Sequence, residues 1–190
     1  MFGSALTTAL KILMFRAGPQ DMPFSPQLPR ITAAIAILSN ALVLALFAPP
    51  WLALTVAIAA VFGVVFATDL ILRSRQLSAR LPQTLSALLL TNAILNLLLL
   101  WPTSSVAPVL LQVAKHPELL KQQGALDIPA GASLAVDLIN LWALMVSAHI
   151  YRAAAKTRLL GGVGFALLVA LTVLAVVFFI ASLAGLLTAL

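Results

Sequence analysis

The chain contains no cysteine, so it can form no disulfide and no thiolate metal site, and cysteine usage says nothing about compartment. Charge is scarce too. Asp, Glu, Lys and Arg make up 8% of the residues, against about 25% in a soluble domain that must keep its surface wet. Only five residues are acidic and only two are histidine. These shortages exclude several chemistries: there is no H-E-x-x-H zinc helix, no cysteine nucleophile, no P-loop and no G-x-S-x-G elbow. His116 and His149 fall on opposite sides of the expected membrane, so no metal site, cofactor or catalytic group is expected, and the chain does not read as an enzyme. The GGVG at 161–164 lacks the strand-and-helix setting of a dinucleotide loop and opens an apolar run instead, where it would let backbones approach.

What the chain does contain is apolar surface, with 63% of its 190 residues hydrophobic. A span needs about 20 apolar residues to cross a hydrocarbon core of roughly 30 Å. Five stretches meet or approach that length, at about 31–48, 51–72, 83–101, 132–152 and 159–187. The expected fold is therefore all-α, a polytopic membrane helical bundle with five transmembrane helices in residues 31–190. Pro49-Pro50 cannot continue a helix and marks a tight hairpin between the first two spans, followed at once by Trp51. Trp101 and Pro102 would close the third span in the same style, with both tryptophans as interface anchors.

The amino terminus, MFGSALTTALKILMF, has no basic start and no A-x-A cleavage site, so it is expected to be retained. Ser4, Thr7, Thr8 and Lys11 share one helical face, and Phe2, Leu6, Ala9, Leu10 and Leu13 the other. Over residues 1–16 that pattern fits an interfacial amphipathic helix, or a short helix packed on the protein's own core. Residues 17–30 follow as a Pro-rich collar whose prolines forbid one helix from running into residue 31, and Met22 and Phe24 are its docking candidates.

Orientation follows from the basic residues. Lys11, Arg16, Arg30, Arg73, Arg75, Arg80, Arg152, Lys156 and Arg158 fall on one side, and only Lys115 and Lys121 on the other. Nine against two places the amino terminus in the cytoplasm and the carboxyl terminus outside. The same short clusters suit anionic lipid headgroups better than nucleic acid, despite a net charge of +6. The loop at 102–131 becomes the one sizeable outer piece, with VAPVLLQVAK and PELLKQQG as short helices that form a cap, a partner-docking site or an unordered loop.

Polar residues inside spans are the default functional candidates because they are costly in lipid. Asn92 and Asn96 share a face of the third span, Asp137 and Asn140 a face of the fourth, and Asn40 lies midway along the first. Together they form either a solute or proton site centred on Asp137 or a set of interhelical hydrogen bonds. Ala59, Gly63 and Ala67, four apart, make a small-residue stripe for close packing against this protein's helices or a partner's.

The segment DLINLWALMVSAHIYRAAAKTRLLGGVGFALLVALTVLAVVF, Asp137 to Phe178, resembles the end of the Yip family, Ypt-interacting membrane proteins with five spans and a cytoplasmic amino terminus. The similar features are Asp137 followed by Trp142, a short basic turn and an apolar last span. LPQTLSALLLTNAILNLLL, from Leu81, is similar to that family's central span. The chain lacks the long acidic cytoplasmic region and the D-L-Y-G-P motif of eukaryotic members, so their Rab binding is not carried over. Its short loops and alanine-leucine bias look bacterial, which implies an inner membrane with a periplasmic carboxyl terminus. The expected role is that of a non-catalytic scaffold, assembly factor or accessory subunit, with membrane lipids and either a second copy or another membrane subunit as partners. The alternative is a small permease or proton-coupled carrier.

Overall fold

In a computed structural model that describes residues 2–116 and 129–188, with side chains to residue 183, the chain is helical and carries no strand among the described residues. Six helices follow in order: α1 (Phe2–Leu13), α2 (Leu28–Leu44), α3 (Pro50–Ser74), α4 (Leu81–Lys115), α5 (Ala130–Ala154) and α6 (Leu159–Thr188). Short 3-10 turns at Pro19–Asp21 and Ser78–Arg80 precede α2 and α4.

Four helical stretches are long and apolar enough to cross a membrane: Pro50–Ser74, Ser78–Lys115, Ala130–Ala154 and Leu159–Leu183. The helix in the first expected span is shorter. α2 has 17 residues, about 26 Å at 1.5 Å each, against a hydrocarbon core of roughly 30 Å. It ends at Leu44 because the chain turns before the proline pair, with Ala45 N–H and Ala48 N–H returning to the carbonyls of Ala41 and Leu44. Pro49 then stands in the cap position of α3 and Pro50 in its first turn, where the missing N–H has no helical partner to lose.

The third expected span requires a larger correction. α4 does not stop at Trp101-Pro102 but continues through Pro102 and Pro108 to Lys115, so VAPVLLQVAK belongs to this helix and not to a separate outer one. A proline inside a helix deletes one backbone bond and costs about 3 kcal/mol in an exposed setting. Here Pro102 is buried with Thr103, Val106 and Ala107, and the Ser104 hydroxyl donates to the Trp101 carbonyl at 2.8 Å. Burial of Pro102 offsets the loss, while the Ser104 bond serves a carbonyl other than that of Leu98, which the proline leaves without its helical donor. The expected short helix PELLKQQG lies outside the described residues.

The five long helices close into a ring. α2 packs on α4, α4 on α5, α5 on α6, α6 on α3, and α3 returns to α2. Two glycines tighten it. A Cβ on Gly162, near the start of α6, would collide with the Ala148 carbonyl and lie 2.9 Å from Arg152 Cβ, so α6 meets α5 nearly backbone to backbone. A Cβ on Gly63 would sit 3.3 Å from Val173 Cα. The stripe of Ala59, Gly63 and Ala67 therefore includes a seam against this chain's own α6.

α1 lies on the flank of this ring, against α4 and α5. Ala5, Ala9 and Ile12 are fully buried in the core, while Phe2, Leu6 and Leu10 stay exposed beside them. Of the two readings of this helix, packing on the protein's own core describes its buried face. α1, α3 and α5 share an ending that neither glycine nor proline marks. Phe15, Gln76 and Lys156 adopt φ of 59°, 59° and 50°, and the next residue's N–H reaches back five residues, as in Arg16 N–H to the Lys11 carbonyl at 2.8 Å.

Candidate functional site: a neutral cavity inside the ring

All five long helices line one partly open cavity of about 410 Å³. Its walls are mainly Leu, Val and Ala, which follows from a ring of membrane-type helices turning apolar faces inward. The polar edge comes from three helices: Asn40 of α2, Thr91 and Asn92 of α4, and Asn140, Ser147 and Tyr151 of α5. On α5 the polar residues recur at seven and eleven positions after Asn140, which is one helical face.

The asparagines form a short relay. Asn40 Nδ2 donates to the Ala36 carbonyl at 2.8 Å and reaches Asn92 Oδ1 at 3.4 Å. Asn96 Nδ2 donates to the same Asn92 oxygen at 2.9 Å. One acceptor thus takes two amide donors and ties α2 to α4. Asn140 has no hydrogen-bond partner among the described residues. At the Tyr151 end of the cavity the Thr68 and Tyr151 hydroxyls lie 2.7 Å apart, joining α3 to α5 in a buried bond.

The sequence-derived cluster is thus brought together in part. Asn40, Asn92 and Asn140 line the cavity and Asn96 supports it from behind. Asp137 does not join them: it is exposed, outside the lining, and unpaired among the described residues. It stands one turn beyond Asn140 on α5, past the end of the lining. Of the docking candidates, Phe24 is exposed, whereas Met22 is 2% exposed and its carbonyl accepts Gln83 Nε2 at 2.9 Å. Met22 is a core residue and offers no surface.

Thr91, Ser147 and Tyr151 were not singled out in the sequence because hydroxyls are common in helices and usually bond to the preceding turn, as Thr91 does to Ala87. The helical spacing of Asn140, Ser147 and Tyr151 was the available signal. Trp142, read above only as part of a resemblance, donates its indole N–H to the Leu13 carbonyl at 3.0 Å and fastens α1 to α5.

Four helices of spanning length and composition around a neutral, amide-edged cavity define a multi-pass membrane protein. Comparison with protein-family models, with curated proteins and with solved structures finds no match to this chain.

Proposed function

We propose that this chain is a non-catalytic protein of a bacterial inner membrane, its amino terminus cytoplasmic and α2 completing a fifth crossing. In this reading the ring holds a small, neutral, amphipathic molecule and works as a permease or as the ligand-binding accessory subunit of a larger assembly. The supporting observation is the cavity: amides from three helices converge on it, one of them without a partner, and no carboxylate or cation lines it. Asn140 is exposed and its amide is open to a molecule in the cavity, so a ligand that supplies one hydrogen bond and an apolar body complements the site. A carrier built on a proton at Asp137 has less support, since that carboxyl stands apart from the lining.

N-phenylnaphthylamine, a neutral probe with one N–H donor, tests this in purified protein. Its fluorescence should rise on binding and fall back with Ala143→Phe, which fills the cavity, and with Asn140→Leu, which removes the free amide. Equal brightening in all three proteins would sink the reading. A second reading, a scaffold that binds no ligand, draws on α6, which carries no charged residue and is largely uncovered by the chain. It expects photo-crosslinks from Leu171 to a second copy or another membrane subunit, and lipid adducts alone would count against it. The Yip resemblance fits either reading, because it concerns the number of spans and not a ligand.

A further inference from the structure

A second cleft, of about 500 Å³, opens at the end of the ring where α5 stops and α6 starts. Three stretches close it. The segment after α1 supplies Phe15, Arg16 and Asp21, the last turns of α5 supply His149 and Arg152, and the turn into α6 supplies Lys156. Three cations therefore share a concavity with one carboxylate. That carboxylate is already engaged, since Asp21 Oδ2 accepts the Gly18 N–H at 2.7 Å and lies 3.5 Å from Gln20 Nε2. No ion pair engages Arg16, Arg152 or Lys156 among the described residues, where the ion pair is Arg73 with Asp69, outside this cleft.

The ordinary explanation for cations here is compensation of the negative ends of helices α1 and α5. The carbonyls at those ends already have donors. On α1, the carbonyls of Leu10, Lys11 and Ile12 accept the N–H groups of Met14, Arg16 and Phe15, and the Leu13 carbonyl accepts the Trp142 indole. On α5, the Arg80 guanidinium donates to the Ala153 and Ala154 carbonyls at 3.1 and 3.3 Å. The cleft's walls are fixed as well. His149 Nε2 donates to the Ala17 carbonyl at 2.9 Å, and the Phe15 ring stands edge-on to the imidazole at 5.5 Å. Positive charge is thus gathered in a preformed concavity, three cations to one carboxylate, with none of the three held in an ion pair among the described residues.

We propose that this cleft binds the phosphate of an anionic phospholipid headgroup through Arg16, Arg152 and Lys156. Its volume falls within the roughly 300–1,000 Å³ of small-ligand sites. Guanidinium groups match phosphate oxygens in a bidentate manner, and basic pockets at the surface level of spanning helices take lipid headgroups. Free phosphate offers the same oxygens. The lipid is the assigned source because the cleft lies at the ends of α5 and α6, at headgroup depth, an argument that rests on those helices crossing the membrane.

The test places the full chain in nanodiscs of mixed phosphatidylglycerol and phosphatidylcholine and measures retained lipid by native mass spectrometry. The wild type should retain phosphatidylglycerol selectively. Arg16→Gln with Arg152→Gln and Lys156→Gln should lower that retention at least about tenfold, whereas Arg30→Gln with Arg75→Gln and Arg158→Gln, which removes equal charge elsewhere, should keep it. Equal loss in both triple variants overturns the proposal by assigning the preference to summed charge. Full displacement of the lipid by excess inorganic phosphate also overturns it, by making the cleft a free-anion site. Should the cleft variant fail to fold, Arg16→Gln with Lys156→Gln supplies the falsifying case: a loss of selectivity with the fold intact supports the site, and unchanged selectivity rejects it.

Discussion

The flank where α1 and the collar meet α4 and α5 handles its polar groups differently from the cavity inside the ring. On the flank, long side chains are spent on backbone carbonyls: Trp142 on Leu13, His149 on Ala17, and Gln83 on Met22, all within 3.0 Å. The polypeptide satisfies itself there, and these residues act as fasteners. In the cavity the amides meet one another across a looser 3.4 Å contact between Asn40 and Asn92, and Asn140 meets nothing described. The same kinds of polar atom thus fix architecture in one place and remain available to another molecule in the other. Counting polar residues in spans does not separate the two roles, but counting their partners does.

Four substitutions would break or sharpen this contrast. Gly162→Val should do most, because its Cβ collides with the Ala148 carbonyl at the seam that closes the ring beside both regions. A loss of about 3 kcal/mol is expected, near the upper end for overpacking, read as a fall in thermal midpoint in detergent. Trp142→Phe keeps most of the ring volume but strips the donor from the Leu13 carbonyl. It should cost about 1–1.5 kcal/mol and raise hydrogen exchange in α1 while leaving α6 unchanged. Asn92→Leu removes the acceptor shared by Asn40 and Asn96, and at about 0.6 kcal/mol per intramembrane bond it should cost roughly 1 kcal/mol. Asn140→Leu should cost the ligand-free protein less than about 0.5 kcal/mol, since no described bond is lost. If denaturation places Asn140→Leu level with Trp142→Phe, that amide is a fastener too, and the contrast fails.

The helical class and the hairpin at Pro49-Pro50 were legible because they depend on local chemistry: runs of apolar residues and a pair of residues that cannot donate. The extent of α4 was not legible. Pro102 resembles a terminator in sequence, and only burial by neighbouring helices, which a linear pattern does not carry, lets the helix pass through it. The endings at Phe15, Gln76 and Lys156 were hidden for a similar reason, since ordinary residues occupy a backbone region that glycine usually signals. Among the site residues, the asparagines stood out because amides are rare in spans. Asp137 was grouped with them by depth and by the face it shares with Asn140, and neither shows where along α5 the cavity lining ends, which is at Asn140. The small-residue stripe announced close packing but not its partner, which for Gly63 is Val173 of the same chain.

The length of α4 exceeds what one membrane crossing can use. At 35 residues the helix measures about 52 Å, whereas a crossing at a tilt of 40°, the steep end of the usual range, uses only about 39 Å. Tilt alone cannot absorb the difference. Counting from Leu81, roughly 30 Å of helix brings the chain to Trp101, which is 74% exposed and of the residue type that settles at headgroup level. For a crossing that begins at Leu81, Trp101 falls at the far boundary, and Pro102 to Lys115 prolong the same helix by about 20 Å, its first turns still buried at Pro102, Thr103, Val106 and Ala107. Asn92 and Asn96 lie on the same helix as that extension, so the cavity's shared acceptor and the far end of α4 belong to one element.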